Sequence, residues 1–239
     1  MLKRSVLFRI LFPRRCPACG KILEGDICVF CRECMETLPS PEGESGEFSK
    51  NGRAGKYVSL SAAAFYYSGG VKRAIGRFKF SNRSSYAGAF ARCMAERWRR
   101  AVNLLPDGDR YRPDIVTWIP VSQKRKRKRG YDQSELLARE VAELLGVPAA
   151  AVLEKTMDNP PQSSLDASSR AANVIGIYSV RDDAPDISGK TVLLIDDVLT
   201  TGATVREASF VLDSAGPKKI CALFAAKTGK GKTSERENF

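Results

Sequence analysis

Hydrophobic positions along most of the chain alternate between a pattern typical of buried strands and one typical of amphipathic helices. Strand-like apolar runs occupy residues 57–67, 113–120, 151–155, 174–180, 191–195 and 219–226. Apolar residues recur at helical spacing from Val71 to Phe78, over residues 86–102, after Ser134, over residues 166–173 and after Val205. Because alternating strands and helices pack as a parallel sheet with helices on both faces, this order predicts one α/β domain.

The pattern stops at both ends of this domain, which we expect to span residues 57–228. Residues 40–56 are rich in Ser, Gly and Glu and predict a flexible linker, while the polar residues 229–239 predict a disordered tail. Residues 1–39 then form an N-terminal unit.

The apolar residues 1–12 could be mistaken for a signal peptide. Arg9 interrupts them, and Pro13 and two arginines follow where a cleavage site should lie, so we expect an amphipathic packing or docking segment instead. No run reaches the roughly 18 apolar residues of a membrane span. The sequence therefore predicts a cytoplasmic protein without a transmembrane segment.

Five of the seven cysteines fall in the N-terminal unit. Cys16 and Cys19 form one CxxC pair, and Cys31 and Cys34 form a second. Without a secretory signal, such pairs favour a zinc ribbon with four thiolate ligands over disulfides. Cys28 is the alternative to Cys31 or Cys34 as a ligand. A segment of this size is too small to fold on its own core, so zinc is expected to provide most of its stability.

The stretch TVLLIDDVLTTGATV combines three features of a phosphate site. Two acids, Asp196 and Asp197, follow a buried strand, and the loop of Thr200, Thr201 and Gly202 leads into a helix. Ligands of open α/β sheets bind beyond the carboxyl ends of the strands, and free N–H groups at a helix start bind phosphate. The acids suit ribose hydroxyls, or a hydrated Mg²⁺ that takes one or two carboxylates together with substrate phosphates.

Charge adds a second candidate anion site. The formal net charge of +12 implies attraction to phosphorylated small molecules, nucleic acid or an anionic membrane surface. Six consecutive cations follow the second strand: Lys124, Arg125, Lys126, Arg127, Lys128 and Arg129. Because like charges repel, we expect a mobile loop that pyrophosphate or a nucleic-acid backbone would neutralise.

Histidine is absent from the chain. This absence excludes Ser/His/Asp and Cys/His nucleophilic catalysis. Any metal site must therefore use cysteine, carboxylate or water ligands.

The strand, the two acids and the TTG loop closely resemble the 5-phosphoribosyl 1-pyrophosphate (PRPP) motif of type I phosphoribosyltransferases. Nearly the whole chain resembles the ComF family of bacterial competence proteins, which join a zinc ribbon to a phosphoribosyltransferase-like domain. The matching segments are the CxxC pairs, FYYSGGVKRAIGRFKF, IPVSQKRKRKRGYDQSELLA, PPQSSL, SRAANVIG and LLIDDVLTTGATV. The family commonly has Asn where Asp132 stands and Arg where Lys155 stands. Because Asp132 has no amide group, a hydrogen-bond donor role for the side chain at this position is in doubt.

By this resemblance, Asp196 and Asp197 bind the ribose hydroxyls of PRPP, with Mg²⁺ near them. The 5-phosphate is held by Thr200, Thr201, Gly202, Ala203 and Thr204. Purine-salvage enzymes of the wider superfamily carry an acid at the position of Thr200 that serves the base, and this chain lacks it. Any chemistry would displace pyrophosphate from the sugar, with charge stabilisation by Mg²⁺ and the basic run and without an assigned catalytic residue.

Three functional hypotheses follow from these observations. The first is a ComF-type protein that binds PRPP and handles single-stranded DNA during DNA uptake, with competence-machinery proteins as candidate partners. The second is a phosphoribosyltransferase of nucleotide metabolism with an unknown amine or base acceptor. The third is a non-catalytic PRPP-sensing module that binds nucleic acid.

Overall fold

The computed structural model describes residues 13–24, 29–41, 55–80, 83–156 and 176–229. Several predicted features lie outside these residues: the N-terminal amphipathic segment, Cys28, most of the linker, the helix over residues 166–173, the PPQSSL segment and the tail from residue 230. Within the described part of the chain, no helix is long and apolar enough to cross a membrane.

Apart from two short helices that were not predicted, over residues 32–37 and 123–129, the described elements follow the predicted order of strands and helices. They are α1 (Arg32–Thr37), β1 (Val58–Tyr66), α2 (Gly69–Phe80), α3 (Ala87–Asn103), β2 (Ile115–Trp118), α4 (Gln123–Arg129), α5 (Gln133–Leu145), β3 (Leu153–Lys155), β4 (Tyr178–Val180), β5 (Thr191–Leu199), α6 (Ala203–Asp213) and β6 (Lys219–Lys227). Two short 3-10 helices, Ser84–Tyr86 and Gly108–Tyr111, flank α3.

A four-stranded parallel sheet forms the centre of the domain, with the strand order β1-β6-β5-β2. Alternate residues of β5 point to opposite faces of this sheet. Leu193 and Ile195 join the core beneath α3 and α5, whereas Val192 and Leu194 join the core beneath α6. All four side chains are buried, which explains the continuous apolar run in the sequence and confirms the predicted parallel sheet with covered faces.

The strands β3 and β4 form a separate two-stranded antiparallel sheet. The prediction that all strand-like segments join one parallel sheet is therefore wrong for these two. Each has only three residues, and Glu154 is exposed while Lys155 and Ser179 are half-buried. Polar side chains of this kind do not fit a central parallel strand that is buried on both faces.

The basic run forms the helix α4, not the mobile loop that charge repulsion predicted. The Ser122 side chain accepts a hydrogen bond from the Arg125 backbone N–H at its start, and Gly130 ends it with a φ of 80°. Lys126 Nζ lies 3.1 Å from Glu135 Oε2. Cations near the C-terminus of a helix also interact favourably with its dipole, so local interactions outweigh the repulsion.

The described part of the N-terminal unit that contains the four cysteines, residues 13–24 and 29–39, is called the cysteine-rich unit below. It packs into the same hydrophobic core as α2 and α3. The Phe30 ring lies edge-to-face against Phe65 and Phe90, with centroids 5.4 and 5.1 Å apart. Arg77 of α2 donates hydrogen bonds to the carbonyl oxygens of Pro17 and Ala18, at 3.1 and 3.3 Å. The unit therefore gains apolar burial from the α/β domain in addition to any contribution from a metal ion.

We expect Phe30→Ala to lower the free energy of unfolding by about 3 kcal/mol or more, because truncation of a buried aromatic ring leaves a cavity. The matched control is Phe210→Ala, since Phe210 is 55% exposed, and it should change stability by less than about 1 kcal/mol. Urea denaturation of both variants measures the difference. Equal losses would contradict the packing of the cysteine-rich unit against β1 and α3.

Candidate functional site

The two acids lie within β5, because this strand continues four residues beyond the predicted end at Ile195 and pairs with β6 as far as Leu199. Asp196 Oδ1 accepts hydrogen bonds from Ser134 Oγ at 2.9 Å and from the Asp197 backbone N–H at 2.8 Å. Burial, and secondarily the neighbouring Asp197 carboxylate, raise the pKa of Asp196 to about 7. Strand pairing and α5 thus fix the position of this carboxyl group.

Asp197 forms an ion pair with Lys79, at the C-terminal end of α2, with 2.8 Å between Lys79 Nζ and Asp197 Oδ2. Lys79 was not predicted to lie in the site, because α2 and β5 are far apart in the chain. The available signal was its presence in the segment FYYSGGVKRAIGRFKF, which resembles the ComF family. Its neighbour Arg77 contacts the cysteine-rich unit instead.

The TTG loop follows β5 and leads into α6, as predicted. Gly202 caps the helix with a φ of 80°, a conformation that strongly favours glycine. The Thr201 carbonyl oxygen accepts a hydrogen bond from Arg206 at 2.9 Å, and Thr201 Oγ1 accepts one from the Ala203 backbone N–H at 3.4 Å. Thr200 and Thr201 are both exposed at the start of the helix.

A cavity of about 250 Å³ brings the acids, part of the TTG loop and part of the basic run together. Its lining consists of Tyr67, Lys79, Ile119, Pro120, Val121, Arg125, Arg129, Lys155, Ile177, Tyr178, Asp196, Asp197, Val198, Thr200 and Thr204. Thr201, Gly202 and Ala203 of the predicted phosphate loop are not among these residues. The cavity therefore combines two carboxylates with four cationic side chains.

The six cations of the basic run divide into groups with different surroundings. Arg125 and Arg129 line the cavity, and Arg129 Nη1 donates to Gln133 Oε1 at 2.5 Å. Lys126 is paired with Glu135. The remaining cations are exposed and do not line the cavity: Lys124, Arg127 and Lys128. The basic run was predicted to act as one anion-binding loop. In the structure, two of its cations line the cavity and three lie on the outer surface.

Asp132 acts as a hydrogen-bond acceptor at the start of α5. Its Oδ2 accepts from the Val121 backbone N–H at 2.9 Å, and its Oδ1 accepts from the N–H groups of Ser134 and Glu135 at 2.9 and 3.2 Å. Burial raises the pKa of Asp132, and these hydrogen bonds act in the opposite direction. The Asp132 carboxylate therefore fixes the start of α5, the helix from which Ser134 donates to Asp196. All three hydrogen bonds are accepted by Asp132, so the amide donor that an Asn would supply at this position is not needed for them.

The short sheet of β3 and β4 supplies a wall of the cavity that the sequence did not predict. Lys155, Ile177 and Tyr178 come from this region. Lys155 Nζ lies 5.6 Å from the centroid of the Tyr178 ring, and burial raises the pKa of the Tyr178 hydroxyl. An aromatic ring and a cation thus border the space next to the acids.

The cysteine-rich unit forms a second candidate site. The Sγ atoms of Cys16, Cys19, Cys31 and Cys34 all lie within 4.8 Å of one another. Zinc–sulfur bonds of about 2.3 Å require sulfur atoms about 3.8 Å apart in a tetrahedron, so the spacing fits a metal ion such as zinc. Burial of Cys16 opposes ionisation, but hydrogen bonds from the backbone lower its pKa to about 7, whereas burial raises the pKa of Cys34.

Comparison with known proteins agrees with this architecture. The family model of the phosphoribosyl transferase domain matches residues 132–238. Competence protein F of Haemophilus influenzae is 28% identical over 109 residues, covering 45% of this chain and 48% of that protein. The DNA utilization protein YhgH of Salmonella typhi is 27% identical over 201 residues, or 82% and 77% of the two chains. Competence protein ComFC of Bacillus subtilis is 25% identical over 209 residues, or 87% and 75%.

The parallel sheet and the domain match define a type I phosphoribosyltransferase-like fold, preceded by four clustered cysteines compatible with a zinc ribbon. The chain is thus similar over most of its length to the DNA utilization protein YhgH and to competence protein ComFC, and over 45% of its length to competence protein F. The match to competence protein F spans about half of that protein's length.

We expect the purified chain to contain one zinc ion, measured by plasma emission spectrometry, and Cys31→Ser to lose it because one of the four thiolates is removed. Cys28→Ser is the matched control and should retain the metal. Loss of zinc in Cys28→Ser with retention in Cys31→Ser would overturn the ligand assignment. Well under one zinc per chain in the unmodified protein would exclude the four-cysteine site.

Proposed function

We propose that this ComF-type protein binds PRPP together with Mg²⁺ and handles single-stranded DNA during DNA uptake and natural transformation. The observation that carries the proposal is the combination of two carboxylates and four cations in one cavity of about 250 Å³. PRPP presents a phosphate, a pyrophosphate and free ribose hydroxyls. Cations suit its charged oxygens and carboxylates accept from its hydroxyls, so one ligand would use both kinds of group.

Within this proposal, the ribose hydroxyls donate hydrogen bonds to Asp196 and Asp197. The 5-phosphate lies against the TTG loop and the first N–H groups of α6, and Thr200 and Thr204 contribute hydroxyls. Arg125 and Arg129 would contact the pyrophosphate. The carboxylates also fit a hydrated Mg²⁺, which when bound would neutralise part of the pyrophosphate charge.

A phosphoribosyltransferase of nucleotide metabolism is the alternative function. The position of Thr200 lacks the acid that serves the base in purine-salvage enzymes, which argues against simple base salvage. Tyr178 and Lys155 line the cavity beside the acids and would contact an acceptor of unknown identity. Release of pyrophosphate from PRPP with a panel of bases and amines would favour the transferase over a PRPP-sensing module without catalysis.

The nucleic-acid role rests on the outer face of α4. Lys124, Arg127 and Lys128 are exposed and do not line the cavity, so they remain accessible to a phosphate backbone when the cavity is filled. The names of the relatives, a DNA utilization protein and two competence proteins, point in the same direction.

We further assign Zn²⁺ to the four clustered cysteines as a structural ion. The geometry of their sulfur atoms supports this assignment. We place the protein in the cytoplasm, where reducing conditions keep such thiols available for the metal. Competence-machinery proteins are its proposed partners there.

Isothermal titration calorimetry with PRPP and Mg²⁺ tests the binding site. Asp196→Ala and Asp197→Ala should each weaken binding by about 10- to 100-fold, because each removes charged hydrogen-bond acceptors. Asp182→Ala, which removes an exposed carboxylate away from the cavity lining, is the control and should bind normally. Unchanged binding in the double variant of Asp196 and Asp197 would show that the site assignment is wrong.

Binding of a fluorescent single-stranded oligonucleotide tests the nucleic-acid role. Neutralising Lys124, Arg127 and Lys128 to Gln should weaken binding and reduce the slope of log K against log salt by about 2, since each neutralised phosphate contact accounts for about 0.7. PRPP binding should not change. Lys190→Gln with Lys218→Gln is the control, because these exposed residues precede β5 and β6 at the opposite edge of the sheet. An unmodified protein that binds no oligonucleotide at low salt would exclude this role.

A further inference from the structure

Lys79 is a cation of the cavity lining to which no role was assigned from the sequence. Packing fixes its backbone, since Val71, Ala74, Ile75 and Phe78 of α2 are buried. The Phe78 carbonyl oxygen also accepts a hydrogen bond from the Tyr131 hydroxyl. From this fixed position, the Lys79 side chain reaches Asp197 at 2.8 Å. The ion pair is largely shielded, because the side chains of Lys79 and Asp197 are only 21% and 12% exposed.

The surroundings explain why a cation lies at this point. Asp196 and Asp197 are adjacent acids, the first half-buried and the second buried, and their negative charges repel one another. Asp196 already accepts hydrogen bonds from Ser134 and from the backbone of Asp197. Arg129, another cation of the lining, is held by Gln133 and lies over the Phe80 ring, with 5.0 Å from Cζ to the ring centroid. Lys79 therefore neutralises the charge of Asp197.

We propose that Lys79 is a resident counter-ion that competes with a divalent cation for Asp197 and moves to a phosphate oxygen when PRPP enters. This inference rests on the proposed PRPP function and adds a mechanism of cooperative binding to it. Lysine suits the role, because its compact ammonium group sits on a flexible four-carbon stem and can turn from a carboxylate to a phosphate within one cavity.

Cooperative binding of metal and PRPP is the consequence. A divalent cation alone must displace Lys79 and leave its ammonium group without a partner, so the cation binds weakly. PRPP supplies the anion that accepts Lys79 and thereby frees Asp197 for the metal. By linkage, the metal strengthens PRPP binding by the same factor as PRPP strengthens metal binding.

The test uses the full chain loaded with one equivalent of Zn²⁺, with Mn²⁺ as the probe, detected by electron paramagnetic resonance. Lys79→Met should bind Mn²⁺ alone about tenfold more tightly, because a positive charge beside the ligand is removed. The same variant should bind PRPP about tenfold more weakly in calorimetry. Lys79→Arg keeps the charge and should stay close to the unmodified protein in the Mn²⁺ titration. Lys79→Gln is a second neutral variant for use if the Met variant does not fold.

A tighter affinity for Mn²⁺ together with a weaker affinity for PRPP supports the proposal. Adding Asp197→Asn to the Lys79 variant should abolish the gain in Mn²⁺ affinity. Parallel losses of Mn²⁺ and PRPP binding would show a structural role for Lys79, and unchanged affinities would show no role; both results overturn the inference. If the unmodified chain binds no PRPP, the proposed function fails. The Mn²⁺ titration then still decides whether Lys79 competes with metal at Asp197.

Discussion

The candidate site depends on one constraint, the placement of two adjacent carboxylates at the carboxyl end of a central parallel strand. The strand β5 pairs with β2 and β6, and its pairing with β6 continues through Asp196 to Leu199. Two adjacent charges that are held by strand pairing and largely removed from solvent must be compensated by nearby polar or charged groups. The hydroxyl of Ser134 and the ammonium of Lys79 arrive from two different helices, so packing of these helices on the sheet determines the electrostatics of the site.

Much of the fold could be predicted because buried parallel strands are continuous apolar runs, as in TVLLI and KICALFAA. The site was predicted where its residues are contiguous, as in the two acids and the threonine loop. Lys79 and Ser134 were missed, because their roles arise from contacts between segments remote in sequence. The helix of the basic run was missed for a related reason, since the charge of Glu135 and the cap at Ser122 outweigh a repulsion that the run alone would predict.

The cysteine-rich unit and the candidate PRPP site are parts of one packed structure. The Phe30 ring forms an edge-to-face cluster with Phe65 and Phe90, and the carbonyl groups of Pro17 and Ala18 accept hydrogen bonds from Arg77 of α2. The proposed linker also begins against the sheet, because the Ser40 hydroxyl donates a hydrogen bond to the Ala64 carbonyl oxygen of β1 at 3.3 Å. A structural metal in this unit would therefore stabilise the helix that carries Lys79 as well as the unit itself.

The helix α2 carries its two contacts only two positions apart, with Arg77 bound to the cysteine-rich unit and Lys79 bound to Asp197. Each residue of an α-helix turns the following ones by about 100°. A single insertion early in α2 would rotate both side chains away from their partners at once. The length of α2 is therefore constrained by two contacts at once, one with the cysteine-rich unit and one with the acids of β5. Evolution can thus exchange side chains of α2 far more easily than it can add or remove a residue.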